Sequence, residues 1–193
     1  MNKRRGTTPP GHIHIIGGSL RGSRLAVPAL PGLRPTPQRL RQTVFDWLAP
    51  VIAGANVLDA FAGSGALGIE ALSRGAGAAT FIERDSAQAR AIEADLARLH
   101  QGHATVRCGD ALRILAEPAT GNFDIVFLDP PFDAGLWDQS VALLDAGGWL
   151  AADALVYAEA GKDNTLEVPG HWRLHRRREA GAVRGTLYRV AAA

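Results

Sequence analysis

The amino-acid sequence predicts an α/β chain built on one mostly parallel, seven-stranded sheet. Helices cover both faces, an antiparallel strand lies at its edge, and a small hairpin-and-helix extension precedes it. Two observations predict this. From residue 56 onward, short apolar runs suited to strands alternate with helical runs long enough to act as crossovers, as parallel strands require. Two further strand-like runs near the carboxyl end have only a short loop between them, so they must pair antiparallel. With 193 residues, the chain can bury a single core without disulfides or a metal.

Taken in order, residues 1–11 are polar, basic and rich in Gly and Pro, a composition that predicts a flexible segment. Residues 12–16 and 24–27 are β-like, and the turn-rich stretch 17–22 between them suits a hairpin. Arg34-Pro35-Thr36-Pro37 then opens a helix that runs to about Leu48. Thr36 can cap it, and Pro37 at the first helical position lacks only an N–H that would have no helical partner. Leu40, Val44, Trp47 and Leu48 form its apolar stripe. Residues 12–50 therefore make up the extension and 51–193 the main domain. In that domain, strands are predicted at 57–62, 78–82, 104–108, 124–128 and 154–159, and again near 172–177 and 186–190. Helices are predicted at 68–73, 86–99, 111–116 and 137–144, the second with Ala89, Ile92, Leu96 and Leu99 on one face.

Charge is distributed unevenly. Residues 1–50 carry +7, residues 51–133 carry −5 and the remainder is neutral, for a net charge of +2. A basic arm ahead of an acidic core suits an anionic macromolecule. The first thirty residues lack the apolar stretch of a signal peptide, and no run is apolar enough to span a membrane. With a single cysteine, Cys108, read as a core residue, the expected home is a reducing cytoplasm. The six histidines are scattered, and no Cys/His spacing suggests a metal.

In a sheet of this kind, ligands bind beyond the carboxyl ends of the strands. Three features fall there. Asp59-Ala60-Phe61-Ala62-Gly63-Ser64-Gly65-Ala66-Leu67-Gly68 closes the first strand of the main domain with a glycine turn that lets the backbone approach a ligand. Taken alone, that turn also fits a dinucleotide site, and Glu83 at the end of the next strand suits ribose hydroxyls in either case. Asp59 separates the two: a carboxylate there would repel a pyrophosphate but would suit a cation such as a methionine amino group. Asp110, after the third strand, suits an adenine edge or could simply cap the following helix. The third feature, Asp129-Pro130-Pro131-Phe132, follows the apolar strand at 124–128. Asp129 and the Pro130 carbonyl can accept hydrogen bonds from an exocyclic amine, the prolines stiffen the loop, and Phe132 offers a face on which a base can stack. Drawing on the amine protons concentrates electron density on nitrogen for attack on a sulfonium methyl, and the rate then comes mainly from positioning.

The series 59–68, Glu83, Asp110 and 129–132 resembles the Rossmann-like class I S-adenosylmethionine-dependent methyltransferases that act on base amino groups. More narrowly, the chain resembles the bacterial 16S ribosomal RNA (guanine(966)-N(2))-methyltransferase family. That likeness rests on His12-Ile13-His14-Ile15-Ile16-Gly17-Gly18 with Arg21-Gly22, on Gly32-Leu33-Arg34-Pro35-Thr36, on Glu70-Ala71-Leu72-Ser73-Arg74, on Gly148-Trp149-Leu150 and on Tyr157-Ala158-Glu159. It runs from residue 12 to 190; His14 departs from it, standing where the family often has arginine.

The resemblance implies that Asp59, Phe61, Ala62, Gly63, Ser64, Gly65, Glu83, Arg84, Asp110 and Ala111 bind S-adenosylmethionine. Asp129, Pro130, Pro131 and Phe132 would then hold the target guanine. Arg21, Arg24, Arg34, Thr36, Arg39 and Arg41 would lie along RNA, with Lys3, Arg4 and Arg5 as further phosphate contacts. The implied partner is 16S rRNA in the 30S subunit or an assembly intermediate, met by a monomer away from membranes. The basic run His175-Arg176-Arg177-Arg178 could add to that surface or could guard a sheet edge. The main alternative is an adenine-N6 DNA methyltransferase, which uses the same Asp-Pro-Pro-aromatic loop but usually needs a separate recognition domain. A dehydrogenase would need a hydride-transfer acid near 129–132, and a non-catalytic RNA-binding module would have no use for Asp129.

Overall fold

The computed structural model describes residues 11–27, 38–131 and 135–191. The hairpin is β1 (Gly11–His14) and β2 (Arg24–Val27), antiparallel, with His12 opposite Ala26. Helix α1 (Gln38–Leu48) follows, and then the alternating main domain: β3 (Asn56–Asp59), α2 (Ala66–Ser73), β4 (Ala78–Glu83), α3 (Ser86–Arg98), β5 (Ala104–Cys108), α4 (Ala111–Leu115) and β6 (Phe123–Leu128). The chain continues through α5 (Trp137–Ala146) and β7 (Leu150–Gly161) to the closing hairpin of β8 (Trp172–Ala180) and β9 (Val183–Val190).

Among the described residues, seven strands form one sheet in the order β5-β4-β3-β6-β7-β9-β8. All neighbours from β5 to β7 are parallel, and β9 runs antiparallel between β7 and the edge strand β8. The chain lays β3 down first, builds outward to β5, and then returns to the other side of β3 with β6. The reversal between β3 and β6 opens a crevice at their carboxyl ends, where α/β sheets bind ligands.

Each face of the sheet carries its own apolar layer. On one, Val57, Phe81, Phe127, Tyr157 and Leu187 pack against α1, α2, α3 and the hairpin residues Ile15 and Leu25. On the other, Leu58, Val126, Val156 and Tyr188 pack against α4, α5 and Trp149. The hairpin thus shares the main core. Among the described residues no helix is long and apolar enough to cross a membrane.

Three expectations change. Cys108 is exposed, because β5 is the outermost strand and lacks a neighbour on one side. Strand β3 stops at Asp59, three residues early, although Ala60 and Ala62 still donate to the Phe127 and Ile82 carbonyls. The buried face of α1 is Leu40, Arg41, Val44, Phe45 and Leu48, so Arg41 lies inward and Trp47 only half so.

Candidate active site

The glycine turn is held from three sides. Gly63 and Gly65 both take positive φ, 54° and 72°, a region that L side chains seldom adopt. Gly65 is the N-cap of α2 and has no side chain to satisfy the helix's first N–H groups, so the Asp59 carboxylate on β3 accepts from Gly68 at 3.0 Å. Gly68 allows this close approach, since a Cβ there would sit 2.2 Å from the Phe81 ring. Glu83, ending β4, accepts from Gly63 N–H through Oε2 and from Asp85 N–H through Oε1, both at 2.7 Å. Asp85 in turn caps α3 through the Ala87 and Gln88 N–H groups. A carboxylate has about four acceptor positions, so Glu83 can hold this turn and still receive two hydroxyls.

Around the turn, Phe61 is half-buried against the α4/α5 layer, Ala62 is buried, and Ser64 is half-buried. Arg84 is exposed, and Ala111 is buried at the start of α4. Asp110 caps α4 by accepting from Arg113 N–H at 3.1 Å, which is sufficient reason for an acid at that position.

Asp129 follows β6, one position past the Leu128/Ala158 pair, and therefore lies beside Glu159 of β7. Glu159 pairs with Gly185 of β9, and Gly185 with Arg178 of β8, so one rung crosses the sheet's carboxyl end. Residues paired in this way share a face. Glu159 is only 3% exposed, and Tyr157 donates its hydroxyl to Glu159 Oε1 at 3.0 Å. Gly185 makes room, since a Cβ there would lie 2.6 Å from the Tyr157 oxygen. Neither Tyr157 nor Glu159 has a role in the sequence-based site. Both sit inside a strand buried on both faces, where burial alone does not distinguish a polar residue from its core neighbours.

Electrostatics set these acids apart. Burial raises the Asp59 carboxyl from its ordinary 3.8 to about 7; the Gly68 bond opposes the rise and the nearby Glu83 charge adds to it. Burial also pushes Asp129 well above the carboxylate range, helped by the charges of Glu159 and Asp59. The Tyr157 hydroxyl rises for the same reasons, burial first and Glu159 next. Two desolvated acids on adjacent strands, one buried and one half-buried, resist taking up negative charge together, and a cation entering between them would relieve both. Pro130 is buried and Pro131 exposed, while Phe132, Arg34 and Thr36 lie outside the described residues, as do Lys3, Arg4 and Arg5.

Arg21, Arg24 and Arg39 are exposed. Arg41 is not available to RNA. It is 4% exposed, its guanidinium donates to the His14 carbonyl at 2.6 Å, and burial lowers its pKa despite the Glu70 charge. It joins α1 to the hairpin. Glu70 of α2 is also fully buried and accepts from Ile16 N–H at 2.7 Å, Gly17 N–H at 2.8 Å and Arg74 Nε at 2.8 Å. Among the described residues no group of His, Cys, Asp and Glu is placed to hold a metal.

A glycine turn after the first strand of the main domain, an acid ending the second and an Asp-Pro-Pro loop after the fourth, on this strand order, define the Rossmann-like class I methyltransferase fold. The chain belongs to the family described as Conserved hypothetical protein 95, whose model matches residues 13–189. It is 51% identical over 179 residues to the ribosomal RNA small subunit methyltransferase D of Escherichia coli strain K12, covering 92% of this chain and 90% of that one. The protein of the same name from Haemophilus influenzae is 41% identical over 191 residues, covering 97% and 99%. Among solved structures, that of the Escherichia coli protein yhhF superposes with a TM-score of 0.85 at 49% identity, covering 95% of this chain and all of that one.

Proposed function

We propose that this chain transfers a methyl group from S-adenosylmethionine to the exocyclic N2 of a guanine in small-subunit ribosomal RNA, with guanine 966 of 16S RNA as the target, during 30S assembly. The observation that carries this reading is a pair of acids, buried Asp59 and half-buried Asp129, both held above the ordinary carboxylate range at the carboxyl ends of the adjacent strands β3 and β6. A pyrophosphate would add negative charge where two carboxyls already resist it, whereas a sulfonium and an ammonium add the opposite sign. The names and extent of the relatives supply the RNA half of the reading.

S-adenosylmethionine supplies an electrophilic methyl group on a cationic sulfur. In this assignment Asp59 receives the amino group, Glu83 the ribose hydroxyls and Asp110 the adenine edge, with Phe61, Ala62, Gly63, Ser64, Gly65, Arg84 and Ala111 lining the cleft. The Asp129 carboxylate and the Pro130 carbonyl would accept hydrogen bonds from the guanine amine and turn its lone pair toward the cleft. As the N–C bond formed and the methyl–sulfur bond broke, releasing S-adenosylhomocysteine, the carboxylate alone would take up the amine proton, with the cationic cofactor favouring its ionised form beforehand. Phe132 stacks on the base. Holding two reactants in line supplies most of the acceleration.

The test is a transfer assay with labelled S-adenosylmethionine, offering unmodified small-subunit particles, their naked RNA and unmethylated DNA in parallel. N2-methylguanosine at a single rRNA site is expected. N6-methyladenine in DNA, or no transfer to any substrate, would overturn the reading.

A further inference from the structure

We infer that the edge strand β8 is a second RNA-binding surface, a row of arginines that takes the backbone phosphates flanking the target nucleotide; this rests on the rRNA methyltransferase reading above. Every residue of β8 from Arg173 to Glu179 is exposed. The register sorts their directions. Arg173 pairs with Arg189, itself opposite Leu155, while Arg176 pairs with Leu187 and Arg178 with Gly185. Leu155, Leu187 and Tyr157 belong to the layer under α1 and the hairpin, so Arg173, Arg176 and Arg178 line the rim of that same face. Arg177 and Glu179 point to the other face, where Glu179 pairs with Arg184 at 3.1 Å.

Several observations favour a phosphate ligand over a solvated edge. Arg178 lies on the rung that begins at Asp129, three inter-strand steps away, or about 14 Å. The row then extends about 17 Å down the strand, the reach of several nucleotides. Among the described residues none of Arg173, Arg176 and Arg178 has an acidic partner, and Arg173 faces Arg189 across the ladder, a like-charge pairing that costs stability. His175, at the bulge in β8, is exposed, and slight desolvation together with the charges of Arg176 and Arg189 pushes its imidazole below the ordinary value. Helix α1, which packs near β8, adds the exposed Arg39 at its start.

Edge protection is the competing explanation, and it separates cleanly because a guard residue can carry either sign whereas a phosphate ligand must be positive. The experiment measures the affinity of the full chain for a 16S rRNA fragment against salt, for the parent, for Arg176→Gln with Arg178→Gln and for Arg176→Glu with Arg178→Glu. Cofactor affinity and unfolding midpoint are read on the same samples. The expected result is about tenfold weaker RNA binding for the glutamine pair and a log–log salt slope shallower by roughly 1.5. The glutamate pair should bind still more weakly, with cofactor affinity and midpoint unchanged. Parent-like RNA affinity and salt slope in the glutamate pair would overturn the inference and leave edge protection. If the parent neither bound nor methylated rRNA, the reading of the active site would fall and this surface with it.

Discussion

Asp59 does two things that pull in opposite directions. It completes the start of α2 by accepting the Gly68 N–H, and it keeps a carboxyl in a place where burial raises its pKa to about 7. A carboxyl raised in the fold above its unfolded value of 3.8 lends stability that is whole below about pH 4 and is lost as pH climbs to about 7. A rise of that size corresponds to roughly 4 kcal/mol, an upper figure for a group this enclosed. Asp59→Asn keeps an oxygen for Gly68 and removes the charge, so urea unfolding should show it more stable than the parent at pH 8 by a few kcal/mol, with the gap narrowing by pH 5. Equal gaps at both pH values would refute the assignment. Asp129→Ala should behave differently: turnover falls on the order of 100-fold while cofactor affinity stays within a few-fold, as single-turnover rates and calorimetry would report. At this scale the placement was legible: the sequence puts Asp59, Glu83 and Asp129 at strand ends, and the sheet brings all three to its carboxyl end. Arg41 was misread because charge suggests solvent. Its spacing to Val44, Phe45 and Leu48 is inward, and the His14 carbonyl and the Glu70 charge, both distant in sequence, explain why a guanidinium is tolerated there.

The amino-terminal hairpin is closed by its own two short strands and tied to α2 through its turn. Ser19 N–H reaches the Ser73 carbonyl, Leu20 N–H reaches Ser73 Oγ, and that hydroxyl donates to the Gly17 carbonyl at 2.5 Å. Gly18, at φ 76°, passes so close that a Cβ would lie 1.8 Å from the Ser73 oxygen. Below these contacts Glu70 ties Ile16, Gly17 and Arg74 together, and Arg74 also lies over the Phe45 ring at 5.0 Å. Glu70→Ala should therefore strand two backbone donors and a guanidinium, at a cost of about 3 kcal/mol. Urea unfolding would give the size. Faster proteolytic cleavage between residues 14 and 27 would show that the loss begins at the hairpin, and an unchanged cleavage rate would mean that the hairpin holds without it. Element order and type were legible because apolar periodicity switches at nearly every boundary. What escaped was reach: β7 continues to Gly161 and β8 to Ala180 because β9 pairs with both, and long-range pairing leaves no local mark in sequence.

For the whole molecule, the sheet's reversal at β3/β6 gathers Asp59, Glu83 and Asp129 at one end, while the hairpin, α1 and the β8 edge present exposed arginines. A cationic cofactor and an anionic polymer can therefore approach the same end without competing for the same charges. This separation makes the fold's stability respond to cofactor in a pH-dependent way. Below about pH 7 Asp59 must lose a proton before it can hold an ammonium; above that it is already ionised. Affinity for S-adenosylmethionine should accordingly fall about tenfold, or about 1.4 kcal/mol, for each pH unit below 7, and level off above it. Since a ligand stabilises by its occupancy, a fixed concentration should raise the unfolding midpoint more at pH 8 than at pH 5.5. S-adenosylhomocysteine keeps the ammonium and lacks the sulfonium, so it should show the same pH slope if Asp59 receives the amino group. Asp59→Asn should flatten the slope for both ligands. A slope that survives this substitution would move the proton to Asp129, the other raised carboxyl of the cleft, and in that case the sulfonium compound alone should show it.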